Sequence, residues 1–351
     1  MASALKPSAD PSNAGLGKEA EDRLKAARAQ KELVADDIRE AYFFTKPRLH
    51  RNIRSTSPNK PSGREKDEHE LVTGVGTEVN EDFATEVING FFPPHYDWCA
   101  SGKPQWMPEA EWKKIKSEAA KLDPAVFQEI RASNFDAAIA RALIPDCGIG
   151  TFALWIDDSE FGEAIRVQHV PLRELEINIG PFGEVGDRFV VRHTALRDVA
   201  AVLPGVALPQ KHAEKLRTDP GKTVVISWGF WRLWDRPAVE RWQHVVRIDD
   251  DVVASEVLEG RGCCKLLVVR FAPDSLHAFG NGPTIDSLPM LRVLDMLTEA
   301  QQNRASTAMN PSFVFPDDGV INFEGGIEDG KAYPMRPGSG EIQPLYFQGD
   351  L

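Results

Sequence analysis

From Lys18 to Tyr42 the chain runs without a single Gly or Pro, and Ala, Glu, Lys, Arg and Leu dominate. Leu24, Ala27, Val34, Ile38 and Tyr42 make a thin apolar stripe among charges, which predicts a long helix. Thr77 to Phe92 predicts a second helix, stopped by Gly90 and the Pro93-Pro94 pair. Glu109 to Lys121 and Pro124 to Ile144 predict two more, the latter closing at Asp146-Cys147-Gly148. The period then changes. TFALWID, AIRVQHV, ELEINIG, RFVVRHT, TVVISWGFWRLW, VERWQHVVRI, DVVASEVL and KLLVVRFA are short, rich in Val, Ile, Phe and Trp, and separated by Gly, Asp and Pro. They predict a largely antiparallel β-region from about Thr151 to Ala272, with short helices expected within Val190 to Val202 and near Gln210 to Arg217.

From Phe279 the pattern turns helical again. AFGNGP (Ala278 to Pro283) is a tight turn, and Thr284 is placed to cap a helix running to Met309. Ile285, Leu288, Leu291, Leu294 and Leu297 lie on one inclined stripe, and Pro289 falls early, where proline costs least. Twenty-six residues make a rod of roughly 39 Å. Its second half is small and polar, with Ala300, Ala305, Ser306, Thr307 and Ala308. NPSFVFPDDGVINFEGG then predicts strand, turn and strand, with Asp317-Asp318-Gly319 as the hairpin turn.

The 351 residues carry 41 Lys and Arg against 53 Asp and Glu, a formal net charge of −12. That balance argues against a surface that grips nucleic acid all over. The exception is Lys46 to Lys66, where Lys46, Arg48, Arg51, Arg54, Lys60, Arg64 and Lys66 face Glu65 alone. With Pro47, Pro58 and Pro61 it reads as a loop or arm, either a solvated linker or a contact for nucleic acid or an acidic partner. Cys99, Cys147, Cys263 and Cys264 have neither metal spacing nor a disulfide framework, which predicts reduced thiols in a cytoplasm-like environment. Met1 to Gly17 lacks the apolar core of a secretory signal, and no run of 18 apolar residues suggests a helical membrane span.

Catalytic constellations fail on context. Gly221-Lys222-Thr223 ends like a phosphate-binding loop, but position 216 is Leu where that loop needs Gly, and the triplet opens a strand. Asp157-Asp158 and Asp249-Asp250-Asp251 lie between β-segments, where turns commonly carry Asp. The eight His stand singly, and no Gly-x-Ser-x-Gly elbow occurs. Trp228, Trp231 and Trp234 recur at threes, so a strand splits them between its two faces; packing fits them better than base stacking. No catalytic residue, metal or cofactor is expected.

The passage AFGNGPTIDSLPMLRVLDMLTEAQQ…MNPSFVFPDDG resembles the portal, or head-to-tail connector, proteins of short-tailed double-stranded DNA phages. TGVGTEVNEDFATEVINGFFPP, SNFDAAIARALIPDCGIGTFALW and VQHVPLRELEINIGPFGEVGDRFVVRHTAL match the family's segments in the same order, so the resemblance covers roughly residues 20 to 350. It implies an α+β portal fold: an N-terminal helix and basic arm (1–75), a β-rich wing (76–283), a first stem helix (284–309) and a small β clip (310–351). It implies a homo-oligomeric ring, usually of twelve, at one capsid vertex of the virion, assembled in the host cytoplasm. Double-stranded DNA would pass non-specifically through it during packaging and ejection. Its partners would be the terminase large subunit, a tail adaptor, and capsid and scaffold proteins. Portals have no catalytic residues. Leu291, Leu294 and Leu297, with Ala305 and Ala308, would pack the stem. In the acidic clip, Lys331 and Arg336 would make transient phosphate contacts while Asp317 and Asp318 face the channel or terminase; equally, all four would only solvate loops. The family continues with a second stem helix and a helical crown, and the chain is expected to stop short of both. Two other readings remain: a β-rich structural or adaptor protein of the virion, and a metal-dependent nuclease using the Asp clusters.

Overall fold

The computed structural model describes residues 13–49, 53, 71–93, 96–98, 100–103, 107–157, 165–236, 239–309, 313–316, 332–335 and 343–344. They divide into two compact units, one formed by 1–68 with 74–288, the other by 69–73 with 289–351.

The first unit is a layered body. Helix α1 (Asn13–Thr45) is followed by α2 (Val75–Phe91), α3 (Glu109–Ala132) and α4 (Phe135–Asp146). Eight strands come next: β1 (Thr151–Asp157), β2 (Arg166–Val170), β3 (Leu175–Ile179), β4 (Val185–Ala195), β5 (Thr223–Arg232), β6 (Arg241–Ile248), β7 (Asp251–Glu259) and β8 (Leu266–Arg270). Between β4 and β5 lie the short α5 (Val199–Val202) and α6 (Gln210–Thr218). Strands β3-β4-β5-β6-β7 form one antiparallel sheet in sequence order, and β2-β1-β8 a second. A meander is what tight Gly and Asp turns between short β-segments should give.

Period-2 alternation sends Phe189, Val191, Trp231 and Val245 to one face of the larger sheet, where Ala20, Leu24 and Ala27 of α1 cover them. On the opposite face Trp155 of β1 meets the rings of Trp228, Phe230 and His244 at 6.1, 5.3 and 6.3 Å. The outer side of the small sheet gives Leu154 and Val167 to a third layer with Ala138, Ile139, Ala142 and Leu143 of α4 and Ala84 of α2. Trp228 and Trp231 thus serve two different cores, as their spacing requires, while Trp234 lies beyond the strand end.

Two expectations are corrected. The helix starting at Glu109 does not break near Pro124 but runs through it to Ala132. Pro124 is exposed, so water can satisfy the carbonyl its ring leaves unbonded. The break comes at Ser133-Asn134, because the Asn134 side chain pairs with the Val167 backbone like an added strand residue, donating to its carbonyl at 2.7 Å and accepting from its N–H at 2.9 Å. The short helix expected within Val190 to Val202 starts only at Leu196, since 190–195 belong to β4.

One buried cation ties α1 to the sheet. Lys31 is almost fully buried; its Nζ donates to the carbonyls of Leu172, Leu175 and Arg173 at 2.7, 2.9 and 3.1 Å and lies 3.3 Å from Glu176 Oε1. Burial pulls its pKa down, opposed by the Glu176 charge.

His244 gives the body a pH dependence. Its ring stacks on Phe230 at 4.2 Å, and Nδ1 meets Glu256 Oε1 at 2.9 Å. Desolvation lowers its pKa below 6.5 despite Glu256, and burial does the same to His212. The unfolded chain therefore takes up these protons first as pH falls, so their neutral packing stabilises the fold above about 6.5 and that contribution fades below it. Melting temperature should fall on acidification from pH 7.5 to 5.5, and His244→Gln should flatten the slope; an unchanged slope would refute the assignment.

In the second unit, helix α7 (Pro283–Met309), which starts in the body, continues from Pro289. Its Asp295 Oδ1 accepts the N–H groups of Val72 and Thr73, both at 3.0 Å. The last strands are β9 (Phe313–Pro316), β10 (Ala332–Met335) and β11 (Gln343–Pro344); β9 pairs parallel with β10 and antiparallel with β11. The hairpin turn expected at Asp317-Asp318-Gly319 lies outside the described residues.

Candidate functional site: the glycine clasp and helix α7

Two Gly-x-Gly segments meet back to back where α7 leaves the body: Gly148-Ile149-Gly150 after α4, and Gly280-Asn281-Gly282 before α7. Gly282 N–H donates to the Ile149 carbonyl and Thr284 N–H to that of Gly148, both at 2.9 Å; Phe271 N–H donates to the Gly150 carbonyl at 2.7 Å. Gly280 N–H donates to Thr151 Oγ1 at 2.8 Å. The backbones are too close for side chains. A Cβ on Gly150 would stand 2.3 Å from Gly282 N, one on Gly282 2.2 Å from the Gly148 oxygen, and one on Gly280 2.4 Å from two carbonyl oxygens. Gly150 also has φ +105°, a conformation open in practice only to glycine.

Around this clasp most buried polar groups are matched; Asn80 Oδ1, beside Gly148, is the exception, with no hydrogen-bond partner among the described residues. Asp146, fully buried at the end of α4, accepts from Tyr42 Oη at 2.5 Å and meets His169 Nε2 at 2.9 Å, linking α1, α4 and β2. Burial raises the carboxyl pKa above its usual range, and burial with the Asp146 charge raises the Tyr42 phenol. The neighbouring Cys147 thiol is pushed up to about 11 by burial and by Asp146, so it is an unreactive core residue. Asn80 Nδ2 donates to the Ile144 carbonyl at 2.7 Å. Together with the clasp, these bonds fix where α7 begins.

Thr284, expected as the cap of α7, sits one residue inside the helix. Gly282 holds the cap position, its carbonyl accepting from Asp286 N–H at 3.2 Å, and Pro283 takes the first turn, where its missing N–H is harmless. Leu291 is half-buried, while Leu294, Leu297, Ala305 and Ala308 are exposed. Leu288 is buried and Ile285 half-buried, so the stripe is open only from Leu294 onward, with Leu297 42% and the neighbouring Met290 74% exposed. Lys331, Arg336, Asp317 and Asp318 lie outside the described residues.

The other candidates sit at a strand start, in a turn and in ion pairs. Lys222 precedes β5, so Gly221-Lys222-Thr223 opens an antiparallel strand. Asp249 closes the β6–β7 turn at φ 52°, Oδ1 accepting from Val225 N–H at 2.9 Å. Asp251 pairs with Lys211, and Asp157 with Lys265, both at 2.8 Å. Among the described residues no group of three or more His, Cys, Asp or Glu could hold a metal, and no helix is long and apolar enough to cross a membrane. Lys46, the first residue of the basic arm, pairs with Glu81. Lys31, Asn134 and the Tyr42–Asp146–His169 bridge have no local signature, because each joins positions far apart in the chain.

No curated protein matches the chain. A family model described as bacteriophage head to tail connecting protein matches residues 17–350, a span that includes the body, the clasp and α7. Covering nearly the whole chain, that match establishes that it belongs to the bacteriophage head-to-tail connecting proteins, a structural family of the virion with a mixed α+β fold.

Proposed function

We propose that the protein is a portal subunit: twelve copies close a ring at one capsid vertex, through which DNA is packaged and ejected and to which terminase and the tail dock. The observation carrying this reading is α7. It spans about 40 Å over 27 residues, yet its apolar side chains from Met290 to Leu297 are largely exposed. Monomers rarely leave such a stripe open; copies of the helix packed side by side around an axis would cover it. The small residues Ala300, Ala305 and Ala308 would then let neighbouring backbones approach closely.

In this reading 1–75 form the N-terminal helix and arm, 76–283 the wing, 284–309 the stem helix and 310–351 the clip. The clip carries Lys331 and Arg336 against seven acidic residues, Asp317 and Asp318 among them. Such a surface repels the phosphates of a duplex, so DNA slides rather than sticks, with the two cations making brief contacts.

Leu294→Glu with Leu297→Glu should change the stability of the folded chain by less than about 0.5 kcal/mol, since both positions are exposed, yet abolish ring formation. Light scattering after size exclusion checks both arms together with a thermal melt. Rings that survive the double substitution would remove α7 from the interface. Mg²⁺-dependent DNA cleavage would instead favour a nuclease, and a stable small oligomer an adaptor.

A further inference from the structure

Strand β8 is an open edge. Its sheet has two edges, and the other one, β2, is closed by the Asn134 side chain. The Lys265 carbonyl accepts from Ile156 N–H at 2.9 Å, and Phe271 N–H donates to the Gly150 carbonyl at 2.7 Å. The odd-numbered residues from 265 to 271 therefore turn their backbone groups toward β1, while Leu266, Val268 and Arg270 turn theirs away. The Leu266 carbonyl is taken by Arg188 Nη1 at 2.7 Å. The backbone groups of Val268 and Arg270 have no partner among the described residues. Natural edges are blunted by charge, proline or a bulge. Strand β8 has neither proline nor bulge, and its one charged side chain, Arg270, is turned to the carbonyls of Gly183, His277 and Ala278.

The face beside this edge is apolar. Leu267, Val269 and Phe271 alternate onto the side that carries Leu154 toward α4, and they are 40%, 44% and 52% exposed. Phe83 of α2 meets Phe271 edge-on at 6.4 Å and extends the strip toward Val79 and Val75, both exposed. A row of acids runs next to it. Glu78, Asp82 and Glu86 stand one helical turn apart, all exposed, and no cation pairs with them among the described residues. Helix α2 has no Lys or Arg, so these like charges repel one another without relief.

We infer that β8 takes up an extended, basic segment of a partner protein as an added strand. The unpaired backbone groups of Val268 and Arg270 call for a strand. Lys or Arg on its outer face lay their apolar stems over Leu267, Val269 and Phe271, and their charged ends reach Asp82 and Glu86, the acids that flank Phe83. A second copy of this chain fits worse. The edge strand of its larger sheet, β7, has three acidic residues and no Lys or Arg, so it would set acid against acid. The contact needs one copy alone and stands apart from the ring reading.

Calorimetric titration of the full chain with a short peptide of alternating Lys and Val tests this, beside the same peptide with Glu in place of Lys. The Lys peptide should bind about tenfold more tightly than the Glu peptide and slow hydrogen exchange at the Val268 and Arg270 amides about tenfold. Val268→Pro removes one outward N–H and leaves the ladder to β1 whole, so that variant should melt near the parent and lose the peptide. D82K/E86K, at two exposed positions, should weaken the Lys peptide about tenfold and strengthen the Glu peptide. Equal binding by the Val268→Pro variant without slowed exchange, or equal binding of the Glu peptide, would overturn the proposal. So would failure of the Lys peptide to bind; if Val268→Pro then lowered self-association, the edge would belong to a second copy. Should Val268→Pro melt far below the parent, exchange at the parent's own amides decides.

Discussion

Gly150→Ala should destabilise the body by on the order of 4 kcal/mol, more than most single substitutions cost. Two penalties combine. An L-residue is forced to φ +105°, and its Cβ lands 2.3 Å from Gly282 N, against backbone that is itself held by hydrogen bonds. Neither segment can retreat without breaking the bond from Gly282 N–H to Ile149 or that from Phe271 N–H to Gly150. Gly205→Ala separates the two causes. Gly205 also has positive φ, but nothing lies within 4 Å of its Cβ position, so its cost should be only about 1 kcal/mol. Urea unfolding of the two variants measures the difference; equal losses would mean that the clasp imposes no packing constraint.

Lys31→Met should cost about 3–5 kcal/mol, because it strands the buried Glu176 carboxylate and removes the donor to three carbonyls before and within β3. Met fills nearly the same volume, so a cavity contributes little. Adding Glu176→Met should recover part of the loss by removing the stranded charge, but not all of it, since the carbonyls remain without their donor. Additive losses in the double variant would show that the two groups do not depend on each other.

The elements legible from the sequence are those with strong local periodicity. The Lys18 to Tyr42 helix, the eight β-segments between Thr151 and Ala272, and the helix after Pro283 all lie close to where their patterns put them. Boundaries failed where a distant residue decides them. Pro124 looked like a stop, but it is exposed and harmless, while Asn134 ends the helix through a strand 33 residues away. Thr284 looked like a cap because the cap role of Gly282 follows from its contact with Gly148 to Gly150, not from its own sequence. The Gly-x-Gly-Pro turn was visible as a motif, and its partner Gly148-Ile149-Gly150 only as a helix stop. Lys31 passed for one more charge on a charged helix, because its acceptors lie more than 140 residues on. Once placed, Asp157, Asp249 and Asp251 prove to serve turns and ion pairs.

The central claim is that this chain closes into a ring around an open channel. Negative-stain imaging of the purified 351-residue protein, classified without imposed symmetry, tests it most directly. The account predicts end-on views of rings with a central opening wide enough for a duplex, and L294E/L297E should remove them. A homogeneous population of monomers, or of particles without an opening, would contradict it.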